Sequence, residues 1–175
     1  MIRGLQELDE SAPGALDALG GVGQLLDAIE RNGWTKAVPA MQRKFVEWRG
    51  TQGKLLLGTS LATFEDYSGV PYAADVAKAN TDAQVRNWAL AWVLHDTLPL
   101  DDLRAMRHVE EHPMVQKTLE RIIDARAMED ANYERLFGHR IGTATDDELR
   151  DASKNHSQLT YVVRAELCRR AQNPK

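Results

Sequence analysis

The sequence has little cysteine, few β-branched aliphatic residues and no excess of basic charge. Cys168 is the single cysteine among 175 residues, which excludes an internal disulfide and a thiolate metal cluster and favours a reducing compartment. Asp and Glu number 26 against 22 Lys and Arg, for a formal charge of -4. The molecule as a whole therefore has no positive field for nucleic acid, and any such contact must be local.

Long apolar segments are also missing. No apolar run approaches the roughly 18 residues that a membrane-spanning helix needs. The N-terminal residues MIRGLQELDE contain no apolar core of a signal peptide. We therefore predict a cytoplasmic protein with no membrane partner.

The aliphatic residues that are present predict the fold class. Ala (22) and Leu (20) outnumber Val (11) and Ile (5), a balance that is typical of helices and not of sheets. At roughly 100 to 200 residues per domain, the length favours one domain over residues 1–175. We predict a compact all-α domain of about seven to nine helices, arranged as stacked hairpins.

Start and stop signals divide the N-terminal part into helices. A first helix follows Ser11 and ends at Gly33. Glycines inside it predict a break or a tight helix contact; they are Gly20, Gly21 and Gly23. Leu55 to Leu57 are compatible with a helix or with the start of a strand.

The clearest helix begins at Thr81. The spacing of Thr81 and Gln84 is that of a capping box, in which each side chain accepts from the other residue's free N–H. The residues from Trp88 to Leu94 are apolar on all sides, which places this helix at the centre of the protein.

The C-terminal part predicts a long helix followed by a helical hairpin. Pro113 indicates a helix boundary near His112, and the longest helix covers residues 114–137. Thr145 begins a second capping box, and Ser157 is the expected cap of the last helix.

The start of the central helix is similar to the helix starts of HEAT-like repeats. Asp82, Val85, Arg86 and Ala89 form the pattern DxxVRxxA. The resemblance covers about a third of the chain, and it implies helix pairs that stack into a binding surface.

One histidine pair resembles a zinc motif. His108 and His112 enclose the sequence HVEEH, which is similar to the HxxEH motif of inverzincin metalloproteases. Pro113 disfavours a helix that continues through this turn, and that family takes its third ligand from far downstream. We expect two solvent-facing histidines at a helix end.

Two further arrangements are compatible with catalysis. His95 and Asp96 resemble the paired residues of the HD phosphohydrolases, but that family's earlier histidine is absent because His95 is the first in the chain. Cys168 could act as a nucleophile with His156, but its place beside Leu167 favours packing as a small hydrophobe. We predict no catalytic residue, no metal and no cofactor.

Two basic islands are candidate binding surfaces. One surrounds Phe45 and Trp48, and basic side chains beside aromatics suit a nucleic-acid strand. Both aromatics follow an apolar helix stripe, however, and we expect them in the core. The other island lies on the last helix, whose hairpin has the outline of a helix-turn-helix. The candidate contact residues are Arg43, Lys44, Arg164, Arg169 and Arg170.

The charge of the opposite sign is concentrated between residues 101 and 134. Such an acidic surface suits a basic partner. We expect a non-enzymatic regulatory protein that binds another protein. The alternative is a nucleic-acid-binding regulator that uses the terminal hairpin, and a metal-dependent hydrolase is the third hypothesis.

Overall fold

The computed structural model describes the backbone of residues 15–172 and the side chains of residues 21–172. This part of the chain contains nine α-helices and no strand, which confirms the predicted all-α fold. The predicted start at Ser11 lies outside the described residues. The helices are α1 (Ala15–Arg31), α2 (Val38–Glu47), α3 (Thr51–Thr63), α4 (Val70–Ala79), α5 (Ala83–Trp88), α6 (Leu100–Val109), α7 (Pro113–Phe137), α8 (Asp146–Asn155) and α9 (Thr160–Gln172).

Shorter helical pieces join these helices. A π-helical turn, Ala89–Leu94, continues α5 directly and is called the π-turn below. The others are 3₁₀ turns, at Thr35–Ala37, Ile141–Thr143 and Ser157–Leu159.

Consecutive helices pack in pairs. The pairs are α2 with α3, α4 with α5 and the π-turn, α6 with α7, and α8 with α9. Neighbouring pairs contact each other through one helix of each pair: α3 contacts the π-turn, α5 contacts α7, and α7 contacts α9. The pair of α8 with α9 forms the predicted C-terminal hairpin.

The core is built around the π-turn. Its Leu90 and Leu94 are fully buried in a central cluster with side chains of α3, α4, α6 and α7, as the all-round apolar pattern predicts. Separate buried clusters lie among α1, α2 and α3 and among α7, α8 and α9. Within residues 15–172, no helix combines the length and the apolarity of a membrane span.

Arg86 of the HEAT-like pattern connects two helix pairs. Its guanidinium donates to both carboxylate oxygens of Glu110 at 3.1 and 2.9 Å, and to the carbonyl of Asn80 at 2.8 Å. Glu110 follows the end of α6, so this ion pair joins the α4–α5 pair to the next one. Both side chains are largely buried, which makes the pair a structural contact.

The glycines of α1 correct one prediction. The helix is continuous from Ala15 to Arg31, and a Cβ added at Gly21 or Gly23 would meet nothing within 4 Å. The predicted break or tight contact is therefore wrong at these two positions. Gly33 ends the helix as predicted, with a left-handed φ of 60° that glycine adopts without strain.

The true close approach lies between α3 and α4. A Cβ on Gly69 would lie only 2.7 Å from the Cα of Gly58, so the two backbones touch here. Gly53 faces the buried indole of Trp48, with which a Cβ added at Gly53 would overlap. Small residues at these positions therefore allow α3 to approach its neighbours.

The helix caps agree only in part with the sequence. Thr145 and Glu148 form the predicted capping box. The Glu148 N–H donates to the Thr145 hydroxyl at 3.2 Å, and the Thr145 N–H donates to the Glu148 carboxylate at 3.0 Å. The predicted cap at Thr81 is wrong. Asp82 is the cap, since its carboxylate accepts from the Gln84 N–H at 2.8 Å, and a charged oxygen also suits the positive end of a helix.

The start of α9 uses a residue from another helix. Ser157 begins a 3₁₀ turn, and α9 itself begins at Thr160, so the predicted cap at Ser157 is wrong. The buried carboxylate of Glu129, on α7, accepts from the Val162 N–H at 2.9 Å. This contact fixes the end of α9 against α7.

Two uncertain boundaries are now settled. Leu55 to Leu57 belong to α3 and are helical. α6 ends at Val109, earlier than the predicted boundary near His112, because Glu110 is extended and bound by Arg86. Pro113 then occupies the first turn of α7, where its missing N–H costs nothing.

Candidate binding groove

The π-turn gives the central helix an unusual end. The N–H of His95 donates to the carbonyl of Leu90, five residues earlier, at 2.9 Å. This wider turn leaves carbonyls near the helix end without their usual partners. π-turns are frequent at functional sites, so the surface around this one is a candidate binding site.

Side chains from three parts of the fold satisfy those carbonyls. The hydroxyl of Thr59, on α3, donates to the Trp92 carbonyl at 3.2 Å, and the hydroxyl of Thr97 donates to that of Val93 at 2.6 Å. Arg126, on α7, donates to the His95 carbonyl at 3.2 Å. The π-turn is therefore held in place by α3 and α7.

A buried ion pair follows the π-turn. Asp96 is only 2% exposed, and its carboxylate accepts from the guanidinium of Arg164 on α9. Burial lowers the pKa of His95, so its imidazole is neutral at pH 7, and its Nε2 lies 3.8 Å from the Asp96 carboxylate. The HD-like pair is thus tied into the interior by an arginine.

A groove of about 350 Å³ opens beside the π-turn, between α7 and α9. Its lining residues are Ala91, His95, Arg121, Ile122, Ala125 and Tyr161. The Tyr161 ring stands edge-on to the His95 ring, with centroids 5.1 Å apart. The walls are mainly apolar and aromatic, and Arg121 is the only Lys, Arg, Asp or Glu among these lining residues.

Large apolar and aromatic side chains continue this surface. The indoles of Trp88 and Trp92 are half-buried and stack at 5.4 Å with an angle of 9°. Trp88 lies three residues before Ala91 and so shares its helix face. Met128 lies three residues after Ala125 on α7 and is 64% exposed. Tryptophan, tyrosine, methionine and arginine are the residues enriched at protein interfaces.

The three basic residues of α9 that the sequence predicts as contacts all form ion pairs with carboxylates of this chain. Arg164 pairs with the buried Asp96. Arg169 and Arg170 both donate to Glu166, at 2.6 and 2.8 Å. Arg170 also reaches Asp146 of α8 at 2.6 Å. This island therefore stabilises the C-terminal hairpin from within.

Glu166 is the centre of that network. Burial by itself raises the pKa of Glu166, but hydrogen bonds from Arg169 and Arg170 outweigh burial and hold the pKa below its usual value of 4.5. The carboxylate is therefore charged at neutral pH and neutralises two arginines that the sequence offers as contact residues.

The other predicted contact residues lie on α2, away from the groove lining. Arg43 is exposed, and Lys44 lies 3.5 Å from the Glu47 carboxylate. Trp48 is buried and Phe45 packs against the core, as expected for the apolar stripe. A contact role for Arg43 and Lys44 stays a prediction.

The catalytic and metal motifs are not assembled. His108 lies in the last turn of α6 and His112 directly before α7; both are exposed and occupy separate helix ends. Burial raises the pKa of Cys168 to about 12, so its thiol stays protonated. The described residues contain no cluster of three or more His, Cys, Asp or Glu with the geometry of a metal site.

Sequence reasoning missed Arg121 and Met128. Both lie on the long helix α7, within the stretch from residue 101 to 134 that the sequence marks mainly as acidic. The signal that was available is their helical spacing: Lys117, Arg121, Ala125 and Met128 follow at three- and four-residue steps, which places them on one side of α7.

No protein family, curated protein or solved structure matches the chain. Its function must therefore be inferred from the chemistry of the groove.

Proposed function

We propose that this protein acts by binding another protein in the groove beside the π-turn, without chemistry of its own. The observation that carries the proposal is the combination of an apolar groove with exposed aromatic, methionine and arginine side chains on stacked helices. Helix pairs in such stacks provide extended binding surfaces.

The composition of the surface supports a macromolecular partner. Met128 exposes 64% and Tyr161 39% of its surface, beyond what packing of the chain uses. Aromatic anchors with apolar neighbours dominate the binding energy of protein interfaces. The half-buried stack of Trp88 and Trp92 adds a rigid aromatic surface next to them.

The terminal hairpin gives less support to nucleic-acid binding. Arg169 and Arg170 already pair with the Glu166 carboxylate, so a phosphate group would have to compete with that carboxylate for both guanidinium groups. Arg164 would have to leave Asp96, which is buried. Breaking a buried pair costs several kcal/mol, about 3 to 5.

The test is affinity capture from the native host's lysate, with and without nuclease. The wild type is compared with Met128→Glu, which places a carboxylate beside the groove, and with Val46→Glu as matched control. Val46 is 76% exposed on α2, so both variants replace an exposed apolar helix residue. Circular dichroism checks that each variant is folded.

We expect to capture a partner that stays bound after nuclease treatment. Met128→Glu should weaken the affinity for this partner by at least about tenfold, since an unpaired charge in an interface costs more than about 1.4 kcal/mol. Val46→Glu should retain it. A partner lost on nuclease treatment would favour the nucleic-acid alternative. Equal retention by both variants would remove the groove from the proposal.

A further inference from the structure

We infer that the segment bound in the groove is an acidic amphipathic helix of the partner, whose apolar stripe enters the groove and whose carboxylate pairs with Arg121. The inference rests on the proposed function and specifies the chemistry of the occupant. It depends on the shape of the groove, on its apolar floor and on the charge at its rim.

The shape suits a helix that supplies a few side chains. The groove is lined by residues of the π-turn and α7, by His95 and by Tyr161 of α9. Amphipathic helices bind in apolar grooves between helices by inserting side chains at i, i+3, i+4 and i+7. A volume of about 350 Å³ admits such side chains and excludes a folded domain.

The floor favours apolar contact. Ala91, Ile122 and Ala125 line it with methyl and methylene groups. Trp88 is half-buried and lies three residues before Ala91, on the same side of the helix. A phosphodiester strand would leave these groups without contact, whereas an aliphatic stripe would cover them and remove their apolar surface from water.

The rim favours acidic residues. Arg121 is exposed, and none of the described residues places a carboxylate oxygen within 4 Å of its guanidinium. Lys117 is exposed one turn earlier on the same side of α7. Asp124 is also exposed nearby but does not pair with Arg121. The arginines of α9, by contrast, are already held by carboxylates.

The charge of the whole molecule makes this preference local. A formal charge of -4 repels an acidic segment at long range, so attraction depends on Arg121 and Lys117 within about a Debye length, 8 to 10 Å in physiological salt. Replacing one of these cations should therefore change the affinity for an acidic helix and leave the affinity for a neutral helix unaltered.

The experiment uses synthetic dye-labelled peptides with one leucine stripe at i, i+3, i+4 and i+7. Their remaining positions carry mainly Glu, mainly Gln or mainly Lys. Fluorescence anisotropy measures the binding of each peptide to the full chain. The protein variants are Arg121→Glu and, as the matched control, Arg140→Glu, which reverses another exposed arginine between α7 and α8.

We expect the Glu peptide to bind best and Arg121→Glu to weaken its binding by about two- to fivefold, the range for one exposed ion pair. The affinity for the Gln peptide should stay unaltered, and Arg140→Glu should change the binding of neither peptide. Tighter binding of the Lys peptide, equal loss in both variants, or no binding of the Glu peptide would overturn the inference.

The outcomes separate this inference from the proposed function. A nuclease-resistant partner released by Met128→Glu, together with a preference for the Lys peptide, would keep the groove as a protein site and reject the acidic helix. A single-stranded oligonucleotide added as competitor gives the third arm. If the oligonucleotide displaces the Glu peptide from the wild type but not from Arg121→Glu, Arg121 binds anions in general. The apolar stripe of the peptide is then not what determines binding, and the inference is rejected.

Discussion

At the scale of single residues, the ion pair of Asp96 and Arg164 places a nearly fully buried carboxylate beside a guanidinium. Arg164 was offered by the sequence as a contact for a partner, yet its guanidinium neutralises a carboxylate that is almost fully buried. A buried carboxylate without its cation is expensive. We therefore assign Arg164 first to the stability of the link between the π-turn and α9.

We predict that Arg164→Ala lowers the free energy of unfolding by about 3 to 5 kcal/mol, because it leaves Asp96 buried and unpaired. Urea denaturation measures the change. The double variant Asp96→Ala with Arg164→Ala should lose less than the sum of the two single variants, since neither charge is then left alone. A loss below about 0.5 kcal/mol, the range of surface substitutions, would contradict the burial of this pair.

Glu166 leads to a prediction about pH. Its pKa is lowered in the folded protein, so its contribution to stability is present above the usual value of 4.5 and is lost as the pH falls through the folded pKa. Glu166→Gln should cost about 1 to 3 kcal/mol at pH 7, the range for hydrogen bonds to charged groups.

Urea denaturation across the acidic range checks this result. The difference between Glu166→Gln and the wild type should shrink as the pH falls below 4.5, because the wild-type carboxyl is then protonated as well. Glu134→Gln, an exposed position on α7, is the control and should differ little from the wild type at any pH. A difference that grows with acidity would show that the sign is wrong.

At the scale of the helices, replacing two different glycines by alanine should change the stability in opposite directions. Gly69→Ala should destabilise by about 1 to 3 kcal/mol, the usual cost of overpacking, because its Cβ would meet the Gly58 backbone at 2.7 Å. Gly23→Ala, in the open middle of α1, should stabilise by about 0.5 to 1 kcal/mol. Thermal melts measure both, and a stable Gly69→Ala would disprove the close approach of α3 and α4.

Much of the helical arrangement could be predicted from the sequence. Gly33, Pro113 and Gly138 mark boundaries through local backbone preferences, and these act whatever the tertiary structure is. The π-turn could not be predicted, because α- and π-helical turns bury the same apolar run and differ only in how carbonyls are satisfied. Those partners, Thr59 and Arg126, come from distant parts of the chain.

The candidate site was harder to predict for the same reason. Counting charges found Arg164 and Arg170, but Asp96 lies 68 residues from Arg164 and Asp146 lies 24 residues from Arg170 in the sequence. Only the fold shows these two pairs, whereas the pairing of Arg170 with Glu166, four residues earlier on the same helix, follows from helical spacing. Arg121 was hidden among many charged residues of α7, since nothing local separates an unpaired cation from a paired one.

At the scale of the whole molecule, we predict no measurable retention of duplex DNA at low salt. If the basic residues of α9 were available, roughly four phosphate contacts would give a log affinity falling with log salt at a slope near -3.6. Their pairing with carboxylates and the formal charge of -4 oppose this. Filter binding over a salt series measures it.

Retention with that steep slope would contradict the pairing of these arginines. Charge reversal at Arg169 and Arg170 is a poor control here, because it sets two carboxylates beside Glu166 and so threatens the hairpin itself. Arg140→Glu, at an exposed position between α7 and α8, changes the net charge with no such conflict and is the better comparison.

The stacked indoles of Trp88 and Trp92 have an optical consequence. Rings held nearly parallel at 5.4 Å couple their electronic transitions, and coupled indoles add a pair of bands of opposite sign to the far-ultraviolet dichroism of the helices. The ellipticity will therefore misstate the helix content unless Trp88→Phe is recorded beside the wild type. The same exciton bands change when either ring tilts, so a ligand that binds in the groove and moves a ring would change the far-ultraviolet dichroism without any added dye.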